Sequence, residues 1–210
     1  MKKKFFIFLA VLIILSFIPI SLLYAEATSI SYIGAYWDEK PTVFISLQKG
    51  VGSSYLDLAI LALDGWNGIF STDSFERLTT TPTKKNPADI TITIKRNTGA
   101  VLGSTKISAS AGILTKITIT VASQNAMGKP LGEDDFKNIL RHEFGHALGL
   151  GHADDDGNLP IDLMYPYYDY IEFSGIVTPS QFDKDALIYL YADDGFGGAV
   201  LTTIPPTYSK

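Results

Sequence analysis

The chain contains no cysteine among its 210 residues. That excludes disulfides, a thiol nucleophile and any zinc site built from thiolates. Histidine is nearly as scarce: His142, His146 and His152 are the only three, and all fall within one stretch of eleven residues. Positive charge is thin as well, with 17 Lys+Arg against 22 Asp+Glu and a net charge of −5. Residues 1–27 hold Lys2, Lys3, Lys4 and Glu26, so the remainder carries 14 basic and 21 acidic side chains, a net charge of −7. No basic cluster is left to neutralise a phosphate backbone, which argues against nucleic acid as a partner.

Long apolar runs are confined to one place, Phe5 to about Tyr24. It follows Met1-Lys2-Lys3-Lys4 and precedes Ala25-Glu26-Ala27. A basic start, an apolar run and an Ala-x-Ala site are the three parts of a secretory signal. Residues 1–27 are therefore expected to be a signal peptide. If residues 5–24 stay uncleaved, the run is long enough to anchor the chain in a membrane, which takes about 20 apolar residues. Either way the expected location is outside the cytoplasm: secreted, or held at the outer face of the membrane. Residues 28–193 are expected to form one folded domain and 194–210 a C-terminal tail.

The remaining patterns describe an α+β fold. Residues 28–40 read as a lead-in. Pro41–Leu47 is β-branched and aromatic, as in a strand. Tyr55–Trp66 carries Leu56, Ile60, Leu61, Leu63 and Trp66 in a mostly helical pattern. Residues 67–87 read as loop with room for one short strand. Ala88–Lys95 and Leu114–Val121 alternate apolar and polar residues, and Val101–Ser108, rich in small residues, reads as an edge strand. A helix starts near Asp134 and passes through Phe136, Ile139, Leu140, Phe144 and Leu148. Thr178-Pro179-Ser180-Gln181 reads as an N-cap at Thr178, Pro at the first helical position and Gln three residues after the cap. A last helix is predicted from there, with Phe182, Ala186, Leu187, Tyr189 and Leu190 on its apolar face.

The chemistry concentrates in His142-Glu143-Phe144-Gly145-His146-Ala147-Leu148-Gly149-Leu150-Gly151-His152. On a helix, His142 and His146 stand one turn apart and about 40° around the axis, so both imidazoles reach one ion. Glu143 lies beside the first ligand and reaches water on that ion. A straight helix would carry His152 too far along its axis, but Gly149 takes the left-handed conformation that ends a helix and reverses the chain. Three neutral imidazoles leave the fourth position of a tetrahedral Zn²⁺ open for water, the arrangement of a catalytic site. The competing reading is three solvated or capping histidines at a helix end. Asp154-Asp155-Asp156-Gly157-Asn158 is a candidate Ca²⁺ loop, against a solvated acidic turn, because clustered carboxylates suit that ion. One of these aspartates is alternatively placed to orient a ligand imidazole.

Met164-Tyr165-Pro166 follows twelve residues after His152. With the extended histidine motif, this segment resembles the metzincin clan of zinc peptidases, most closely its matrixin branch. The resemblance implies a twisted five-stranded mixed sheet with a backing helix, an active-site helix and a C-terminal helix. It also implies a turn at Met164 beneath the metal. A protein or peptide substrate would lie extended along the edge strand. Tyr165 and Tyr167 would stand in the wall of a pocket beside the zinc, with Tyr168 and Tyr170 nearby; the alternative is that most of these rings pack the core. Pro166 stands where some branches carry a metal-binding tyrosine, so no tyrosine ligand is expected.

The expected activity is that of a secreted zinc metalloendopeptidase, with Glu143 taking a proton from water and passing it to the leaving amine. Two other functions remain open at this point: a catalytically silent zinc-binding surface module, and an amidase acting on short peptides or cell-wall amides.

Overall fold

Alternation decides the centre of the molecule. Ile90, Ile92 and Ile94 point to one face of their strand and are completely buried, while Thr91, Thr93 and Lys95 between them are only partly covered. The same period places Val43 and Ile45, and Ile117, Ile119 and Val121, on the same buried side. Strand after strand therefore presents branched apolar side chains to one core. The structure, a computed structural model, describes residues 27–71, 74–97, 99–154, 162–166, 175–192, 194–197 and 203–209.

Eight strands and three helices are described. In chain order they are β1 (Ser29–Tyr32), β2 (Thr42–Leu47), α1 (Ser54–Asp64), β3 (Glu76–Arg77), β4 (Ile90–Lys95), β5 (Gly103–Ser110), β6 (Ile113–Ala122), α2 (Glu133–Ala147), β7 (Leu150–Ala153), α3 (Gln181–Tyr191) and β8 (Thr207–Ser209). Five strands form a mixed sheet in the order β3-β2-β4-β6-β5. Its first four members run parallel and β5 runs antiparallel to β6 at the edge. This is the expected α+β architecture, and the fifth strand is the short β3 within the predicted loop 67–87.

Helix α2 lays Phe136, Leu140, Phe144 and Ala147 into the core, and α1 adds Ala59, Ala62 and Leu63. Arg141 ties the two helices together. Its guanidinium is buried and donates to Ala62 O at 3.3 Å, Leu61 O at 3.4 Å and Val177 O at 3.1 Å. Two of those acceptors are last-turn carbonyls of α1, where the helix's own hydrogen-bond ladder runs out. A cation there also meets the negative end of the helix dipole.

Three expectations about local structure need correction. The cap of α3 is Ser180, not Thr178. Ser180 Oγ accepts from Asp183 N at 3.0 Å, and Asp183 Oδ2 accepts from Ser180 N at 2.8 Å, a reciprocal capping box. A carboxylate at the third helical position satisfies the cap's amide more strongly than the Gln181 amide in the predicted box. The presumed lead-in contains β1, and the presumed tail contains β8. Both join β7 in a second, three-stranded sheet ordered β7-β1-β8. Short strands with few apolar side chains carry weak periodicity, so only their tertiary pairing reveals them.

Ala27, the expected last residue of the signal peptide, is buried, and its N–H donates to Asp162 Oδ2 at 2.8 Å. Residues 5–24 lie outside the described part. No helix among the described residues is long and apolar enough to cross a membrane.

Candidate metal centre

Helix α2 delivers two imidazoles and one carboxylate to the same end of the sheet. His142 and His146 are half-buried, and Glu143 between them is 8% exposed. Side chains satisfy the open end of this helix. Trp37 Nε1 donates to Ala147 O at 2.7 Å and the Tyr191 hydroxyl donates to Leu148 O at 2.8 Å. These are the terminal carbonyls that a helix leaves without internal partners. Trp66 Nε1 adds a bond to Arg141 O at 3.0 Å.

The chain leaves the helix at Gly149, whose φ is +109°. A side chain there would be strained, and its Cβ would stand 2.8 Å from Leu190 Cδ2. The turn leads into β7, which places His152 opposite the helical pair. The ligand nitrogens of His142, His146 and His152 lie within 4.8 Å of one another. Pairwise, the ring centroids are 4.7, 5.3 and 4.8 Å apart.

The protonation of the rings tests whether an ion fits. His142 Nδ1 is 2.8 Å from Leu163 O, and His146 Nδ1 is 2.9 Å from Leu150 O. A carbonyl only accepts, so each Nδ1 carries the hydrogen and each Nε2 a lone pair. Those two Nε2 atoms stand 3.1 Å apart. Two lone pairs at that distance repel unless a cation lies between them. The spacing is close to the roughly 3.3 Å implied by two Zn–N bonds of about 2.0–2.1 Å on a tetrahedral ion. Burial, reinforced by His146, drives His142 down to about 3, and burial drives His146 down to about 4. Burial lowers His152 as well. All three rings are thus neutral near pH 7, and the donor set fits a zinc ion.

The orienting partners of His142 and His146 are backbone carbonyls, not the aspartates considered from sequence. Asp154 is committed elsewhere: it accepts from Thr28 N at 3.0 Å, Thr28 Oγ1 at 2.8 Å and Ser29 N at 3.0 Å, pinning the start of β1. These contacts hold its carboxyl below the usual carboxylate range despite the opposing effect of burial. Asp155, Asp156, Gly157 and Asn158 of the candidate Ca²⁺ loop lie outside the described residues.

Met164 is completely buried in a turn closed by Tyr165 N donating to Asp162 O at 3.2 Å. This turn touches both arms of the centre. Leu163 O holds His142, and Met164 O accepts from Ala153 N at 2.9 Å on β7. The Met164 side chain packs against Gly145, where a Cβ would collide with the Met164 sulfur and stand 2.9 Å from Trp66 Cζ2. Gly145 was not singled out from the sequence. Its signal was available only as a glycine in mid-helix, an expensive choice unless something packs closely.

Beside Glu143 opens a cavity of about 490 Å³ bordered by Leu102, Gly103, Ile139, Leu163, Tyr165 and Val177. Tyr165 lines this cavity, while Tyr167, Tyr168 and Tyr170 lie outside the described residues. Asn138 and Arg141 hold the Val177 side of this cavity. Val177 N donates to Asn138 Oδ1 at 2.8 Å, and Asn138 Nδ2 donates to Gly175 O at 2.8 Å.

Known proteins share parts of this chain. Bovine (Bos taurus) interstitial collagenase is 47% identical over 53 residues, 25% of this chain and 10% of its own length. Matrix metalloproteinase-18 of Xenopus laevis is 39% identical over 72 residues, 34% of this chain and 14% of its own. Human (Homo sapiens) neutrophil collagenase is 43% identical over 53 residues, 25% of this chain and 10% of its own. Among solved structures, the high choriolytic enzyme 1 of the medaka fish Oryzias latipes, a hatching-enzyme zinc protease, gives a TM-score of 0.36. That match has 13% identity over 56% of this chain and 50% of that one. A family model described as matrixin matches residues 60–192, from the middle of α1 to the first residue after α3, and by that span the chain belongs to the matrixin family.

Proposed function

We propose that this chain is an exported zinc-dependent endopeptidase. The observation that carries the reading is the pair of facing Nε2 lone pairs 3.1 Å apart, with a third imidazole beside them and a buried carboxylate next along the helix. His142, His146 and His152 would hold the ion. When bound, zinc supplies a Lewis acid that polarises a carbonyl and lowers the pKa of water to about 7.

The protein's own groups do the rest. Glu143 is the general base, taking a proton from the attacking water, and then the general acid that returns it to the leaving amine. Burial pushes its carboxyl above the ordinary range, which favours proton uptake, and the Thr105 hydroxyl opposes that rise. Strand β5 ends the sheet, so a substrate in extended form adds to it as a further strand through backbone hydrogen bonds. Pairing of that kind reads no side chains, and selectivity falls to the cavity bordered by Ile139, Leu163 and Tyr165. The basic, apolar, small-residue order of the first 27 residues supports export.

Zinc analysis combined with casein cleavage in the presence and absence of a chelator tests the reading. Stoichiometric zinc and chelator-sensitive cleavage are expected. Glu143→Ala should keep the metal and lose most of the hydrolysis; if it cleaves at the parent's rate, the mechanism is wrong. Zinc without cleavage would point to the surface-binding module, and cleavage restricted to short peptides to the amidase.

A further inference from the structure

Two positions of edge strand β5 are half-buried beside helix α2. Gly103 and Thr105 are half-buried on one face, while Ser104, Lys106 and every residue from Ile107 to Ser110 are exposed. Both inward positions land on Glu143. The Thr105 hydroxyl lies 2.5 Å from Glu143 Oε2 and 3.0 Å from the Glu143 carbonyl. A threonine hydroxyl has one proton, and the shorter contact to the charged oxygen takes it. At Gly103 the fit is steric: a Cβ would stand 2.6 Å from Glu143 Oε1, 2.7 Å from Ile139 Cγ2 and 2.8 Å from Glu143 Cγ. One residue makes room for the carboxylate and the other, two steps along the same strand face, grips it.

We propose that Thr105 is a positioning residue that fixes the rotamer of the Glu143 carboxylate, with Gly103 keeping the space that this rotamer needs. The inference rests on the peptidase reading above. A glutamate side chain has three rotatable bonds; the helix disfavours χ1 near +60° but leaves the choice among the remaining arrangements open. Thr105 makes that choice from outside the helix. It engages Oε2 and leaves Oε1, over the missing side chain of Gly103, as the oxygen open to substrate and water. Strand β5 is also the strand proposed to pair with substrate. The same backbone would then register both the peptide and the carboxylate that acts on it, and small displacements at such a site are amplified in rate.

Three variants of the full chain, each loaded with zinc, separate this role from a merely structural one. Thr105→Val keeps the shape and removes the hydroxyl. Its kcat on a quenched peptide should fall between about tenfold and a hundredfold, with KM within about twofold and zinc stoichiometry unchanged. Thr105→Ser restores the hydroxyl and should return kcat to within about threefold of the parent. Gly103→Ala should lower kcat while keeping zinc. An independent readout is the ¹³C resonance of the Glu143 carboxyl carbon, identified by its loss in Glu143→Gln. It should move in Thr105→Val and in Gly103→Ala and return in Thr105→Ser. Active parent protein with kcat and resonance both unchanged in Thr105→Val overturns the positioning role alone. Zinc-loaded parent that cleaves no peptide overturns the underlying peptidase reading instead.

Discussion

The candidate metal centre has two unequal arms. The first is α2, a buried helix that carries His142 and His146 with their Nδ1 hydrogens locked onto Leu163 O and Leu150 O. The second is β7, four residues long, which carries the exposed His152. The first arm is defined by helical spacing and anchored by Trp37, Trp66 and Tyr191. The second has no such local definition. It depends on the reversal at Gly149, on pairing with β1 and on the Ser31 hydroxyl, which donates to His152 O at 3.0 Å. Two of the candidate ligands follow from local geometry, whereas the third is placed by a strand more than a hundred residues earlier in the chain.

Perturbing either arm tests that division. His146→Ala should have the largest effect, losing both zinc and cleavage, as read by metal analysis after dialysis. Zinc retained at full stoichiometry would mean that the ligand set is wrong. Gly145→Ala strikes the first arm from beneath, forcing a methyl into Met164 and Trp66. It should cost about 1–3 kcal/mol of stability, the usual range for overpacking, measured by chemical denaturation. Gly151→Ala strikes the second arm, because its Cβ would collide with the Ser31 hydroxyl. Loosening what orients a ligand typically lowers metal affinity about 10–100-fold. Competition with a chromogenic chelator should show a loss of that size, with a smaller change in unfolding midpoint than Gly145→Ala produces. Equal loss of stability in the two glycine variants would erase the distinction between the arms.

The smallest effect is a dependence on pH. Asp183 Oδ2 accepts from Leu163 N at 3.3 Å, so it supports the residue whose carbonyl holds His142. Burial, with Asp162 nearby, pushes Asp183 up to about 6. Between the ordinary carboxylate value near 4 and that value, the folded chain keeps a proton that the unfolded chain has released. This group's contribution therefore falls as pH rises through the window, by at most about 1.4 kcal/mol per pH unit. Asp183→Asn removes that slope. The difference in unfolding free energy between variant and parent should grow from pH 4 to pH 6 and level off above. A flat difference would show that folding leaves the Asp183 carboxyl at its ordinary value.

Legibility from the sequence follows the same division. The alternation in Ile90–Lys95 and Leu114–Val121, and the helical pattern through Phe136, Leu140 and Phe144, announce the frame because each obeys one period over many residues. The motif from His142 to His152 announces the cluster of imidazoles that the fold brings together, because only a few chemical types bind zinc. β1 and β8 stayed hidden as lead-in and tail, since their pairing is wholly non-local. Gly103 and Thr105 looked like two small residues in a weak edge strand. Their meaning depends on which helix lies above them, and no periodicity records that.

The order β7-β1-β8 has a consequence for how the molecule comes apart. Strand β1 is central in that small sheet, so it is gripped on one flank by the strand bearing His152 and on the other by Thr207–Ser209. Fraying of the last three-residue strand strips one flank from β1 and relaxes its hold on the neighbour across it. Only β1 therefore stands between Thr207–Ser209 and the strand that bears the third imidazole.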